Sequence, residues 1–107
     1  AVLADMLELG PSAPELHQQI GAIIPERADW LFTYGSLAEE IARGARDAGL
    51  DDDRIFSAVN HDELIERLLG LLESGDRVLI KGSRGMRMEK VTGALRASLQ
   101  KQAANGN

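Results

Sequence analysis

The segment Lys81-Gly82-Ser83-Arg84-Gly85-Met86-Arg87-Met88-Glu89 gathers three cations and two glycines ahead of its first acid. Glycines let a ligand approach the backbone, Lys and Arg donate charge-assisted hydrogen bonds, and the free N–H groups of a following helix would complete a cradle for a phosphate or carboxylate. Cations at a helix N-terminus oppose the macrodipole, so helix stability gives no reason for them there. A second reading stays open, with Arg84 and Arg87 as solvated surface residues and Gly82 and Gly85 as turn formers. The G-x-x-x-x-G-K-[ST] order of a P-loop is absent, so the chain is not an NTPase by itself.

Other chemistry-bearing residues are sparser. Asp5 directly follows an apolar run, where a carboxylate can accept from a ribose hydroxyl, hold a metal or cap a turn within Asp5-Met6-Leu7-Glu8-Leu9-Gly10. His17 falls in the first turns of a helical pattern, two residues after Glu15, where a lone histidine is usually a surface or packing residue. Tyr34 ends the second apolar run and either presents its phenol to the same edge or packs on the rim. Neither His17 nor His61 has the partner spacing of a triad or a metal site, and Asp51-Asp52-Asp53 lacks EF-hand spacing and reads as a solvated loop. With no cysteine in the chain there is no disulfide, thiolate nucleophile or Cys-ligated zinc.

The elements that must position these residues alternate. Short apolar runs at Ala1 to Ala4, Asp29 to Tyr34, Arg54 to Val59 and Arg77 to Lys81 predict strands of a sheet covered on both faces. Between and after them, apolar residues recur every three to four positions: Leu16, Ile20, Ile23, Ile24; Leu37, Ile41, Ala45, Ala48; Leu64, Ile65, Leu68, Leu69, Leu72; Met88, Val91, Leu95, Leu99. Pro25, Gly49 and Ser74-Gly75-Asp76 read as the ends of the first three helices. Capping boxes are expected at Ser12 to Glu15 and Ser36 to Glu39, and an Asn variant at Asn60 to Glu63. The fold class is α/β, a Rossmann-like three-layer α/β/α sandwich with a mostly parallel sheet, formed by residues 1–100 with a fraying tail at 101–107. Right-handed crossovers put every strand-to-helix loop on one edge, where open α/β folds bind ligands.

Composition narrows the partners. The 107 residues suit one domain, and 12 basic against 17 acidic residues give a net charge of -5, which argues against nucleic acid or an anionic membrane as a bulk partner. Apolar runs of about four residues are far short of a membrane span, and no signal-peptide pattern is present. The first residues already read as a buried strand with no Met or polar lead-in, as expected of a piece of a longer protein.

Asp5-Met6-Leu7-Glu8-Leu9-Gly10, His17, Leu31-Phe32-Thr33-Tyr34-Gly35, His61-Asp62-Glu63-Leu64 and the run from Val78 to Glu89 together resemble the C-terminal domain of the Mur ligases, bacterial cell-wall enzymes. The resemblance extends from Val2 to about Leu99, and its most specific part is Lys81 to Glu89. It implies two further domains, one for a UDP-sugar and a central ATPase, over which this Rossmann-like domain closes. It implies ATP and Mg2+, held mainly by the central domain, and phosphorylation of a carboxylate followed by attack of an amine. The branch matched joins D-alanyl-D-alanine to UDP-N-acetylmuramoyl-tripeptide in the cytoplasm. By resemblance, Asp5 faces the nucleotide ribose, Lys81, Ser83 and Arg84 lie near dipeptide and phosphate, and Tyr34 and His17 line the crevice. No catalytic residue or metal ligand is expected in this domain alone, and it should be inactive in isolation. Where Ala4 stands the family usually has Gly, and a methyl there would narrow the approach to the strand end. The alternative is a stand-alone flavodoxin-like module for a small ligand or signal; a receiver version would need an Asp within Ser57-Ala58-Val59-Asn60, where none stands.

Overall fold

Strands form where apolar runs can pair on both sides. In the computed structural model, β1 (Val2–Ala4), β2 (Leu31–Tyr34), β3 (Ile55–Ala58) and β4 (Ile80–Lys81) build one sheet in the order β3-β2-β1-β4, with every pairing parallel. Residues 1–7, 10–73 and 75–105 are described. Glu8 and Leu9 of the first loop, Ser74 after the third helix, Gly106 and Asn107 lie outside them, as do the side chains of Leu99 and of residues 101–105. The strands are shorter than their apolar runs. β1 offers three residues, and its register, Val2 with Ile80 and Leu3 with Lys81, leaves no partner for Arg77 and Val78. Val78 and Leu79 accordingly stay 37% and 56% exposed.

The period-two alternation of the strands supplies two cores. Val2, Ala4 and Phe32 face α3 (His61–Leu71) and α4 (Glu89–Asn105), packing on Leu64, Leu68, Met88, Val91 and Leu95. Leu3 and Leu31 face α1 (Ala13–Arg27) and α2 (Ala38–Asp47), meeting Ile24, Ile41, Ala42 and Ala45. The result is the α/β/α sandwich expected from the alternating pattern. The methyl of Ala4 is part of the first core and fully buried, opposite Gly82, where a Cβ would lie 2.8 Å from it. Its volume is thus accommodated in the core by the glycine on the neighbouring chain segment.

Three helix ends differ from expectation. Pro25 lies inside α1, which runs on to Arg27 and closes with Ala28 N–H on the Ile24 carbonyl at 2.9 Å. One lost backbone bond in the last turns is outweighed by the burial of Ile24 against the sheet. Ser12 caps nothing with its side chain, because it ends a 3-10 turn, Gly10–Ser12, in a conformation outside the extended region a capping hydroxyl needs. The N-cap position of α2 is taken by Leu37 in a helical conformation, so Ser36 makes no capping box either. The Asn variant does form: Asn60 Oδ1 accepts from Glu63 N–H at 2.8 Å. Asn60→Ala should therefore lower stability by about 1 kcal/mol, readable in a thermal melt, while Ser12→Ala should be close to neutral.

Candidate functional site

The chain runs outward from β1 to β2 to β3 and then returns to the other side of β1 as β4, so the strand order reverses between β1 and β4. Such a switch point leaves a crevice at the carboxyl ends of the strands, because the two loops leaving it turn to opposite faces of the sheet. Here those loops begin at Asp5 and Gly82. They are tied across the crevice: Ser83 N–H donates to the Asp5 carbonyl at 3.0 Å, and Ser83 Oγ accepts from Leu7 N–H at 2.7 Å. Ser83 is therefore a stitch between the loops, a role its place beside the cations did not suggest.

The carboxylate of Asp5 turns toward α2. Its Oδ1 accepts from Ala38 N–H at 2.6 Å, and the residue is only 5% exposed. A charge at the positive end of α2 thus does the capping that Ser36 does not. Gly35 makes room for it. Its φ of +110° suits glycine, and a Cβ there would meet the Asp5 carboxylate, with Oδ2 at 2.7 Å. The structure gives Asp5 a role outside those suggested for it, a cap on a helix that follows another strand.

His17 is wholly buried and both ring nitrogens are occupied by backbone. The Ala13 carbonyl can only accept, so Nδ1 carries the proton and donates at 2.6 Å, and Nε2 accepts from Met6 N–H at 3.1 Å. The ring anchors the first loop from beneath. Tyr34 is half-buried with its ring 4.6 Å from that of His61, and His61 Nε2 donates to the Met86 carbonyl at 2.7 Å.

The cations stand ahead of the helix, not in it, with Arg87 two residues before its first residue. Residues Arg84–Met86 form a 3-10 turn, Arg87 takes a left-handed conformation, and α4 begins at Glu89. Two intervening residues separate the cationic turn from the dipole because Ser83, pinned to the first loop, sets where the turn starts. Lys81, Arg84 and Arg87 have no acidic partner among the described residues, where ion pairs form at Arg43–Glu40 and Arg46–Asp52. The second of these takes up Asp52 of the acidic run, and no group of three or more metal-ligating side chains converges among the described residues. Met6, Lys81, Ser83 and Arg84, together with Glu89 and Thr92, line an open groove of about 650 Å³. A hollow of about 690 Å³ between Trp30 and Arg67 lies at the amino ends of β2 and β3 and holds none of the candidate residues. The groove at the switch point is the better candidate, since both crevice loops contribute to it.

Sequence reasoning missed what His61 and Gly35 do, although a histidine after a helix cap and a glycine after a strand aromatic were both visible. Comparison with known proteins places the chain in a family. A family model described as "Mur ligase, glutamate ligase domain" matches residues 1–84. The chain is 38% identical over 91 residues to the UDP-N-acetylmuramoyl-tripeptide–D-alanyl-D-alanine ligase of Bacillus subtilis (strain 168), which covers 84% of this chain and 20% of that relative. The chain thus spans about a fifth of the length of the relative it matches. With a parallel sheet reversing at β1, a crevice bridged by Ser83 and a family match over most of its length, this chain belongs to the Mur ligase family.

Proposed function

We propose that the chain is the closing domain of an ATP-dependent ligase that adds D-alanyl-D-alanine to UDP-N-acetylmuramoyl-tripeptide in cytoplasmic peptidoglycan precursor synthesis. The observation that carries this reading is the mixed charge of the groove lining, where Lys81 and Arg84 occur together with Glu89. A dipeptide is zwitterionic, with a carboxylate for the cations and an amine for the acid. The name of the Bacillus subtilis relative supports the same substrate. ATP and Mg2+ would be held chiefly by a central ATPase domain, since the chain has no P-loop and its described residues offer no metal cluster. Asp5 would face the ribose with whatever part of its carboxylate the Ala38 bond leaves open. Tyr34 and His17 would act through the loops they support.

The test is ligation by the complete enzyme, followed as phosphate release with the tripeptide and dipeptide substrates. Arg84→Ala should lower kcat/KM for the dipeptide about ten- to hundredfold, the loss of one charge-assisted contact. Because Arg84 is exposed and unpaired among the described residues, the melting temperature should hardly change. A large drop in melting temperature with unchanged kinetics would make the arginine structural and refute the groove as the dipeptide site.

A further inference from the structure

Arg87 is the only non-glycine residue among the described ones with a positive φ, 52°. An L-residue enters this left-handed region at a cost that its surroundings must offset. Here each peptide plane beside its Cα is tied. The plane before it is held at both ends: Met86 C=O accepts from His61 Nε2–H at 2.7 Å, and Arg87 N–H donates to the Arg84 carbonyl at 3.1 Å. The plane after it is held where Lys90 N–H donates to the Arg87 carbonyl at 3.1 Å. Of the three partners, the Arg84 carbonyl belongs to the turn and Lys90 N–H to the start of α4 just after it, and only the imidazole comes from a part of the chain distant in sequence. His61 opens α3, which Asn60 caps, and its ring lies 4.6 Å from that of Tyr34 at the end of β2.

We propose that His61 is a positioning residue that holds Arg87 left-handed and thereby sets how the cationic turn stands over the groove. The left-handed step is what lets Met88 enter the core, 7% exposed, while Arg84, four residues earlier, faces the groove. Without the imidazole, the peptide plane before Arg87 keeps only its bond within the turn, and the chain relaxes toward ordinary φ values. The inference rests on the groove being an anion site only for its functional consequence, since the backbone geometry stands without any ligand.

The experiment uses isotope-labelled 107-residue chain. A strong intraresidue N–H to Hα Overhauser effect at residue 87 marks the left-handed conformation, and titration with inorganic phosphate followed at the Arg84 and Gly85 amides reads the groove. His61→Gln keeps a donor at similar reach and should preserve the marker and the phosphate affinity. His61→Leu should weaken the marker and reduce phosphate affinity about fivefold or more. If His61→Leu compromises the fold, the same variant in an Arg87→Gly background decides. Glycine needs no help to stay left-handed, so the drop in melting temperature caused by His61→Leu should shrink there. A marker unchanged in His61→Leu, a His61→Gln variant as impaired as His61→Leu, or an equal melting penalty in both backgrounds would each overturn the proposal. If phosphate never binds but the marker follows His61, the positioning role stands and the anion reading of the groove fails.

Discussion

Gly21→Val should leave little folded protein, and even Gly21→Ala should cost about 3 kcal/mol or more, above the usual range for an overpacked side chain because the obstacle is backbone. A Cβ on Gly21 would fall on the Ile41 carbonyl oxygen and lie 2.8 Å from the Ala45 nitrogen; one on Gly44 would fall on the Gln18 carbonyl oxygen. α1 and α2 are thus in backbone contact through two opposed glycines, and neither can yield without parting the helices from the sheet. For a domain of this size the loss corresponds to a fall in melting temperature of roughly 10 to 20 °C, measurable by circular dichroism. The control has the opposite sign. Gly70 in α3 and Gly93 in α4 have nothing within 4 Å of a built Cβ, so alanine at either should stabilise by about 0.5 to 1 kcal/mol through helix propensity. If Gly21→Ala melts with the wild type, the close crossing of α1 and α2 is wrong.

The second large effect is at Asp5. Asp5→Ala leaves Ala38 N–H without its acceptor in a place closed to water, since Ala38 is fully buried and Asp5 nearly so. A lost charged acceptor and an orphaned donor together should cost about 2 to 3 kcal/mol. Asp5→Asn keeps an acceptor oxygen for Ala38 and should lose less than half of that. This pair separates structure from function. A ribose contact would show as a raised KM for ATP in Asp5→Asn of the complete ligase, at nearly native stability. An Asp5→Ala melt equal to the wild type would remove the cap, and an Asp5→Asn enzyme with native ATP dependence would remove the ribose contact.

Much of this architecture was legible because its signals are local. Four apolar runs and four helical stripes lie within windows of a few to fifteen residues, and the Asn60 cap is complete within three residues. The cationic turn between Lys81 and Glu89 stood out from composition alone. Where local rules failed, a distant group had intervened. Ser36 was expected to cap α2, but Asp5, 33 residues away, holds the first N–H. The cations were expected at the N-terminus of α4, but Ser83, tied to Leu7 across 76 residues, is followed by a 3-10 turn that sets Arg84 ahead of the helix.

The sequence by itself determined the α/β alternation, the placement of all four strand-to-helix loops on one edge, the absence of a P-loop and the presence of a cation-rich turn. Each depends on periodicity or on residue types read in short stretches, and such preferences act before the chain is folded. Only the tertiary structure decided that β4 returns beside β1, which makes those two loops the walls of one groove. It alone turned Asp5 toward α2, closed both ring nitrogens of His17 on backbone, and brought His61 to the Met86 carbonyl. Apart from the bond of His17 to Ala13 one helical turn away, these contacts join residues eleven or more positions apart, and their partners are backbone N–H and C=O groups, which every residue carries alike. Identity leaves no mark on such a partner, so only the path of the chain in space could single it out.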